Sequence, residues 1–289
     1  MHMVYDLPDM KLLARGGQAD IYEIDSARIL RVLRETGEHS VQALHAERAI
    51  MALLRTRGAS VPEVYEPGEA GGMPAYAMQR ISGPSMLEKM MRNPLGIGGY
   101  GKTLADLHLE ILCTTAPGAL QDINGRAKFL INRASLLDED DKAFALSLLD
   151  GLPAGDALMH GDFHPGNILS DGGKYYIIDW FGATKGDPVS DVAHTYLLCA
   201  DKPRIPGESA AKHYFQKTFA RRFGNVYLKR IRSKLGFGMD EFGKWLAVRA
   251  AERSVYGQPS ERTGRAAFVK ACRNAHLKGT GSARWYKFL

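Results

Sequence analysis

The residues Leu158-Met159-His160-Gly161-Asp162-Phe163-His164-Pro165-Gly166-Asn167-Ile168-Leu169 constrain this 289-residue chain more than any other stretch. A His-x-Asp is followed by an Asn five positions after the Asp, and Ile177-Ile178-Asp179-Trp180 places a second Asp twelve residues beyond that Asn. β-Prone segments flank the turn Asp171-Gly172-Gly173, so a hairpin would bring Asp179 back beside Asn167. Gly186-Asp187-Pro188 and Asp191 follow closely.

Two carboxylates and an amide at that spacing suit one chemistry. In-line transfer of a γ-phosphoryl group needs a carboxylate beside the attacking hydroxyl, and an amide plus a second carboxylate to hold Mg²⁺ on the phosphates. The spacing is that of a kinase catalytic loop, H-R-D-x-x-x-x-N, and its metal-binding Asp. Other readings compete. An Asp before Phe and an Asn after Gly are ordinary turn residues. His160, Asp162 and His164 alternate as in the two-metal sites of phosphoesterases, but no further Asp-x-His or Asn-His pair completes such a site.

The string HGDFHPGNIL (160–169), with IIDW (177–180) and GDPVSDVA (186–193), resembles the aminoglycoside phosphotransferase and choline kinase superfamily, small-molecule kinases with the protein-kinase fold. Weaker likenesses extend over most of residues 10–200. The resemblance implies an α+β, bilobal protein-kinase-like fold. A small antiparallel-sheet lobe, residues 1–81, would bind nucleotide. A larger, mostly helical lobe, residues 82–289, would carry the catalytic loop and the acceptor-binding helices, with the hinge near 79–84. It further implies ATP and Mg²⁺ as cofactors and a small-molecule hydroxyl as acceptor. Asp162 would be the catalytic base, with His160 and His164 beside it in the loop. Asn167 and Asp179 would be metal ligands, and Asp187 and Asp191 would support the loop.

Residues 10–14, 20–24 and 28–33 read as strands. Gly16-Gly17, between the first two, can let backbone approach phosphates or can be a plain hairpin turn. In Ile29-Leu30-Arg31-Val32-Leu33, Arg31 stands between apolar neighbours where protein kinases have the Lys of V-A-I-K, with Arg34 a rival by register. Residues 40–57 have the spacing of an amphipathic helix, with Glu47 near its apolar face, where a carboxylate needs a cation. The resemblance supplies Arg31. Strands follow at 64–65 and 74–81; by the resemblance adenine stacks among Met78, Ile81 and Ile178 and bonds to hinge backbone near Gln79. Helices are expected over 100–113, 125–137, 139–150, 189–198, 208–235, 239–257 and 263–277.

Composition excludes some classes. Hydrophobic residues at 45% and charged residues at 24% are ordinary for a soluble globular protein. No apolar run approaches the roughly 20 residues of a membrane helix, and residues 1–11 do not read as a secretory signal, so a cytoplasmic location is expected. Cys113, Cys199 and Cys272 form no Cys-x-x-Cys pair, so neither zinc nor a disulfide framework is suggested, and each reads as a small buried apolar residue. Only 12 positions separate Asp179 from Asp191, too few for the segment on which protein kinases dock peptides.

Charge is uneven along the chain. Residues 201–289 carry 20 Lys+Arg against 6 Asp+Glu, net +14, which leaves −8 for residues 1–200 of the total +6. A kinase-fold protein binding an acidic partner, or a nucleotide-binding module without catalysis, are the alternatives; nucleic acid is not the expected partner. Asp138, Glu139, Asp140 and Asp141 could receive a polycation, whereas Arg249, Glu252, Arg253 and Tyr256 share a helical spacing and could project together. The balance favours a neutral or anionic hydroxylated acceptor.

Overall fold

Period-two alternation between residues 12 and 33 folds as a meander, and the rest of the chain is arranged around what its two faces bury. The computed structural model describes residues 3–202 and 207–289. In chain order the elements are β1 (Met3–Tyr5), β2 (Leu12–Arg15), β3 (Ala19–Glu23), β4 (Arg28–Leu33), α1 (Glu38–Thr56), β5 (Val64–Ala70), β6 (Met73–Gln79), α2 (Met86–Arg92), α3 (Ile97–Leu112), α4 (Ile123–Asn132) and α5 (Glu139–Asp150). They continue as β7 (Ala157–Met159), β8 (Ile168–Asp171), β9 (Lys174–Ile177), β10 (Thr184–Gly186), α6 (Pro188–Ala200), α7 (Ala210–Leu235), α8 (Met239–Arg253) and α9 (Pro259–Leu277). The result is a mixed α+β protein with an N-terminal sheet and a helical C-terminal part.

Packing divides the chain into two units. The first runs through Met91 and adds Gly166–Ala183; the second comprises Arg92–Pro165 and Thr184–Leu289. The division expected at 81/82 differs, because the β8–β9 hairpin groups with the sheet. Ile177 N donates to Ser60 O at 2.7 Å and Ser170 N to Pro84 O at 3.0 Å. These are tertiary hydrogen bonds with no local sequence signature.

In the first unit the sheet order is β1-β5-β6-β4-β3-β2. Every pairing is antiparallel except that of the added strand β1 with β5. Leu30 and Val32 turn to one face, against Ala70 and Ala75. Helix α1 buries Leu44, Glu47, Ile50, Met51 and Leu54, an i, i+3, i+4 stripe with one carboxylate in it.

The core of the second unit is helical, with Leu104, Ile111, Val192, Tyr196, Tyr227, Ile231, Trp245 and Val248 buried. A short antiparallel pair, β7 with β10, matches Met159 with Thr184 just before the His160–Asn167 loop. Helix α9 begins at Pro259, earlier than the expected 263, because proline suits the first helical position and Gln258 with Glu261 forms a capping box. Among the described residues no helix is long and apolar enough to cross a membrane. The three cysteines are unpaired; Cys272 is buried, but Cys113 is exposed, contrary to the buried reading, because it caps the end of α3.

Candidate active site

In the first unit, β4 carries Arg31 out of the face opposite Leu30 and Val32, and α1 presents Glu47 to it. Arg31 Nε lies 2.8 Å from Glu47 Oε2, and Arg31 Nη2 donates to Asp179 Oδ1 at 3.0 Å. Glu47 Oε1 also accepts the Trp180 backbone N–H at 3.0 Å, so one buried carboxylate holds both the arginine and the residue after Asp179. Burial by itself favours the neutral form of each group. Facing Glu47, Tyr76 and Asp179, Arg31 is nevertheless raised further and stays charged, while burial pushes the Glu47 carboxyl up against the pull of Arg31. Arg34 points elsewhere: its Nη1 donates to Gly16 O at 2.9 Å and the side chain is half exposed.

Asn167 and Asp179 stand at the open end of the β8–β9 hairpin. Gly172 and Gly173, with φ of 54° and 81°, make its two-residue turn, and Ile178 N donates to Asn167 O at 3.0 Å. Asp179 has φ of 66°, the one left-handed non-glycine among the described residues, and its side chain is 38% exposed against 1% for Glu47. An amide and a carboxylate there are hard oxygen donors of the kind that suit Mg²⁺. Buried Met78 lies in β6, Gln79 ends that strand, and Ile81 and Ile178 are half-buried. Gln79 N bonds within the sheet to Glu63 O at 2.8 Å. Gly16 N donates to Ala19 O at 3.0 Å, closing the β2–β3 turn, while nothing lies within 4 Å of a Cβ built on Gly17. Sequence reading passed over Gly83, whose Cβ would meet Ser170 O at 1.6 Å.

In the second unit Asp191, fully buried on α6, organises the loop from His160. Its Oδ2 accepts His160 N at 2.8 Å and its Oδ1 accepts Gly161 N at 3.2 Å. His108 Nε2 donates to Asp191 Oδ2 at 3.1 Å and Nδ1 accepts from Tyr227 OH at 2.7 Å, the tautomer that an acceptor-only carboxylate selects. The His108 ring also stacks on Phe163 at 4.2 Å. Asp187 caps α6 through Val189 N and takes the Trp245 indole N–H at 2.6 Å. His160 is buried, and its Nδ1 accepts from Asp162 N at 3.3 Å.

Asp162 itself is partly exposed, with His164 Nε2 3.6 Å and Arg253 Nη1 3.7 Å from its oxygens. Burial raises its pKa, but the hydrogen bond and charge of His164, then Arg253 and His160, outweigh that and push it down to about 2. Among the described residues no three His, Cys, Asp or Glu side chains gather in a metal-holding group, so His160, Asp162 and His164 do not form the two-metal arrangement.

Around Arg253 is a cluster that sequence spacing only half located. Arg249 and Glu252 do not project with Arg253 and Tyr256; both are buried, Arg249 donating to Glu252 and to His194 Nδ1. Arg126, from α4, reaches Glu252 Oε1 at 3.2 Å. The Arg253 guanidinium lies over the Tyr256 ring at 4.7 Å. Neither Arg126 nor His194 had any local signal, since each matters only through tertiary partners. The acidic run is occupied otherwise: Asp138 caps α5, and Arg273 lies 3.3, 3.0 and 3.0 Å from Asp138, Asp140 and Asp141.

Comparison with known proteins agrees with this geometry. The sequence model of the phosphotransferase enzyme family (APH) matches residues 9–226. No curated protein sequence gave a match. Among solved structures, a thermostable mutant of the aminoglycoside phosphotransferase APH(4)-Ia superposes with a TM-score of 0.62 at 16% identity, covering 94% of both chains. A choline/ethanolamine kinase family protein from Mesorhizobium loti gives 0.61 at 15% identity, over 97% of this chain and 92% of that one. The amicoumacin kinase hAmiN, in complex with AMP-PNP, Ca²⁺ and Ami, gives 0.59 at 16% identity, over 96% and 90%. With three quarters of its length matched by the family model, the chain belongs to the phosphotransferase enzyme family.

Proposed function

We propose that this protein is a phosphotransferase that moves the γ-phosphoryl group of ATP to a hydroxyl of a small molecule, with Mg²⁺ as cofactor, in a reducing cytoplasm. The observation that carries the reading is the Arg31–Glu47–Asp179 ion cluster beside Asn167, a set suited to holding polyphosphate and a divalent ion. The complex of hAmiN with AMP-PNP and Ca²⁺ supports a nucleotide and a divalent cation in this fold.

In this reading Asp162 accepts the acceptor's O–H proton as its oxygen bonds to the γ-phosphorus, and the breaking P–O bond leaves its electrons on ADP. With a pKa of about 2, Asp162 is ionised throughout the neutral range and serves mainly by orienting the hydroxyl. Asp191 fixes the loop so that this carboxylate does not wander. Arg31, held by Glu47, contributes a permanent charge to the phosphates. Mg²⁺, when held by Asn167 and Asp179, neutralises phosphate charge.

The test is ADP release screened against sugars, aminoglycosides, amino alcohols, nucleosides and hydroxy acids, with mass detection of the phosphorylated product. Asp162→Ala should lower turnover by about 10² to 10⁴ while MgATP affinity stays near the wild-type value. Wild-type-like turnover in that variant would remove Asp162 from its assigned role.

A further inference from the structure

Glu252 is shared between two arginines. Its Oε2 receives Arg249 and its Oε1 receives Arg126, so one negative charge answers two guanidinium groups. Tyr256 OH lies 3.5 Å from both Arg126 Nη2 and Glu252 Oε1, and its ring carries the third arginine, Arg253. Arg253 is incompletely satisfied: its Nε is buried without a hydrogen-bond partner, and Nη1 stands 3.7 Å from Asp162, an ion-pair distance too long for a hydrogen bond. The surroundings are cationic enough that His194 is held neutral, by burial first and then by Arg249, Arg253, Arg126 and Arg265.

Nearby carboxylates do not redress the balance where solvent reaches. Asp191 is consumed by the His160 and Gly161 N–H groups and by His108. Asp201 and Glu261 face Arg265, and Asp138, Asp140 and Asp141 face Arg273. At the rim, Arg253, 14% exposed, stands beside the carboxylate of Asp162, and Arg126, 21% exposed, joins it through Glu252 and Tyr256. An ammonium-rich acceptor brought to Asp162 would meet these guanidinium groups at close range. A planar or tetrahedral oxyanion would instead match their donor forks.

We infer that the acceptor is a hydroxylated small molecule bearing a carboxylate or phosphate, which Arg253 and Arg126 hold while its hydroxyl meets Asp162. This rests on the phosphotransfer reading and names its substrate class. Arg253 exchanges its loose contact with Asp162 for the oxyanion, and Tyr256 keeps the guanidinium planar against its ring during that exchange.

Acceptors matched in size but not in charge test this: glycerate against glycerol, ribose 5-phosphate against ribose, and kanamycin as a polycation. Each is measured for binding by calorimetry and for MgATP-dependent product. At least one anion should bind about tenfold or more tightly than its neutral match, the two pairs separating carboxylate from phosphate. Arg253→Gln should bring that ratio close to one, and Arg253→Lys, which keeps charge but not the fork, should keep part of it. If the thermal midpoint of Arg253→Gln collapses, Arg126→Gln carries the same test. Tighter binding of kanamycin, equal binding within both pairs, no binding of either anion, or an anion preference unchanged in the Gln variants would overturn the inference. Failure of the phosphotransfer reading shows separately, as an anion bound tightly with no ADP released.

Discussion

The Asp191 carboxylate accepts the His160 backbone N–H at 2.8 Å across 31 residues of sequence, and through it the second unit's helical core sets the conformation of the loop that carries Asp162. With Gly161 N and His108 also on that carboxylate, three donors depend on one buried group. Asp191→Ala leaves all three without their acceptor, and the loss should be several kcal/mol, at roughly 1–3 kcal/mol for each buried donor left unsatisfied. Denaturant midpoints measure it. Asp191→Asn, which keeps one carbonyl oxygen, should lose less stability yet still lower turnover, because the loop is then held at fewer points.

The Arg31–Glu47 pair should show coupling. Arg31→Met leaves Glu47 buried without its arginine, and Glu47→Gln leaves Arg31 with Asp179 as its remaining carboxylate. A double-mutant cycle on nucleotide-free stability is expected to give an interaction of roughly 0.5–3 kcal/mol. Additive effects would show that the two side chains act independently despite their 2.8 Å separation.

Asp179→Ala should weaken Mg²⁺-dependent nucleotide binding, measured by calorimetry with and without EDTA. The wild type should lose affinity on chelation, and the variant should be nearly insensitive to it. Equal nucleotide affinity with and without metal in the wild type would sink the assignment of Asn167 and Asp179.

Glycine replacements separate two kinds of turn. Gly83→Ala drives a methyl to 1.6 Å from the Ser170 carbonyl and should cost about 1–3 kcal/mol, with the backbone forced to shift. Gly17→Ala meets nothing within 4 Å and should change the thermal midpoint little, within about 0.5 kcal/mol in stability. A fall in MgATP affinity without loss of stability in Gly17→Ala would place phosphate against that turn.

Acid pH acts through Asp162 and Asp191, both depressed from an ordinary 3.8. For Asp191, burial opposes ionisation, but His108, Arg249 and His160 prevail. Since both folded-state values lie below the unfolded ones, their contribution is fully present above about pH 4 and is lost as pH falls through the folded values. Thermal midpoints from pH 7 to 3 should therefore decline mainly at the acid end. Turnover between pH 5 and 8 should not follow Asp162; an acid limb in that range that disappears in Asp162→Asn would contradict its low pKa.

Much of this protein is written in short-range order. The β8–β9 hairpin follows from β-prone runs around Gly172-Gly173, α1 from apolar residues at helical spacing, and the spacing of Asp162, Asn167 and Asp179 from one loop and one hairpin. Glu47 could be singled out because a carboxylate in an apolar stripe demands a cation. The resemblance offered Arg31, with Arg34 a rival, and tertiary structure decided between them: β4 alternates sides, and its pairing with β3 and β6 sets which side faces α1. The same holds for the guanidinium cluster. Helical spacing grouped Arg249, Glu252, Arg253 and Tyr256, but α8 ends at Arg253 instead of the expected 257, so Tyr256 lies beyond the helix, while Arg249 and Glu252 turn into the core and Arg253 stays at the rim. Arg126, His194 and Arg273 find their partners from other helices. Periodicity reports which residues share a face; only packing decides what that face meets, and with it whether a charge is neutralised or left to bind.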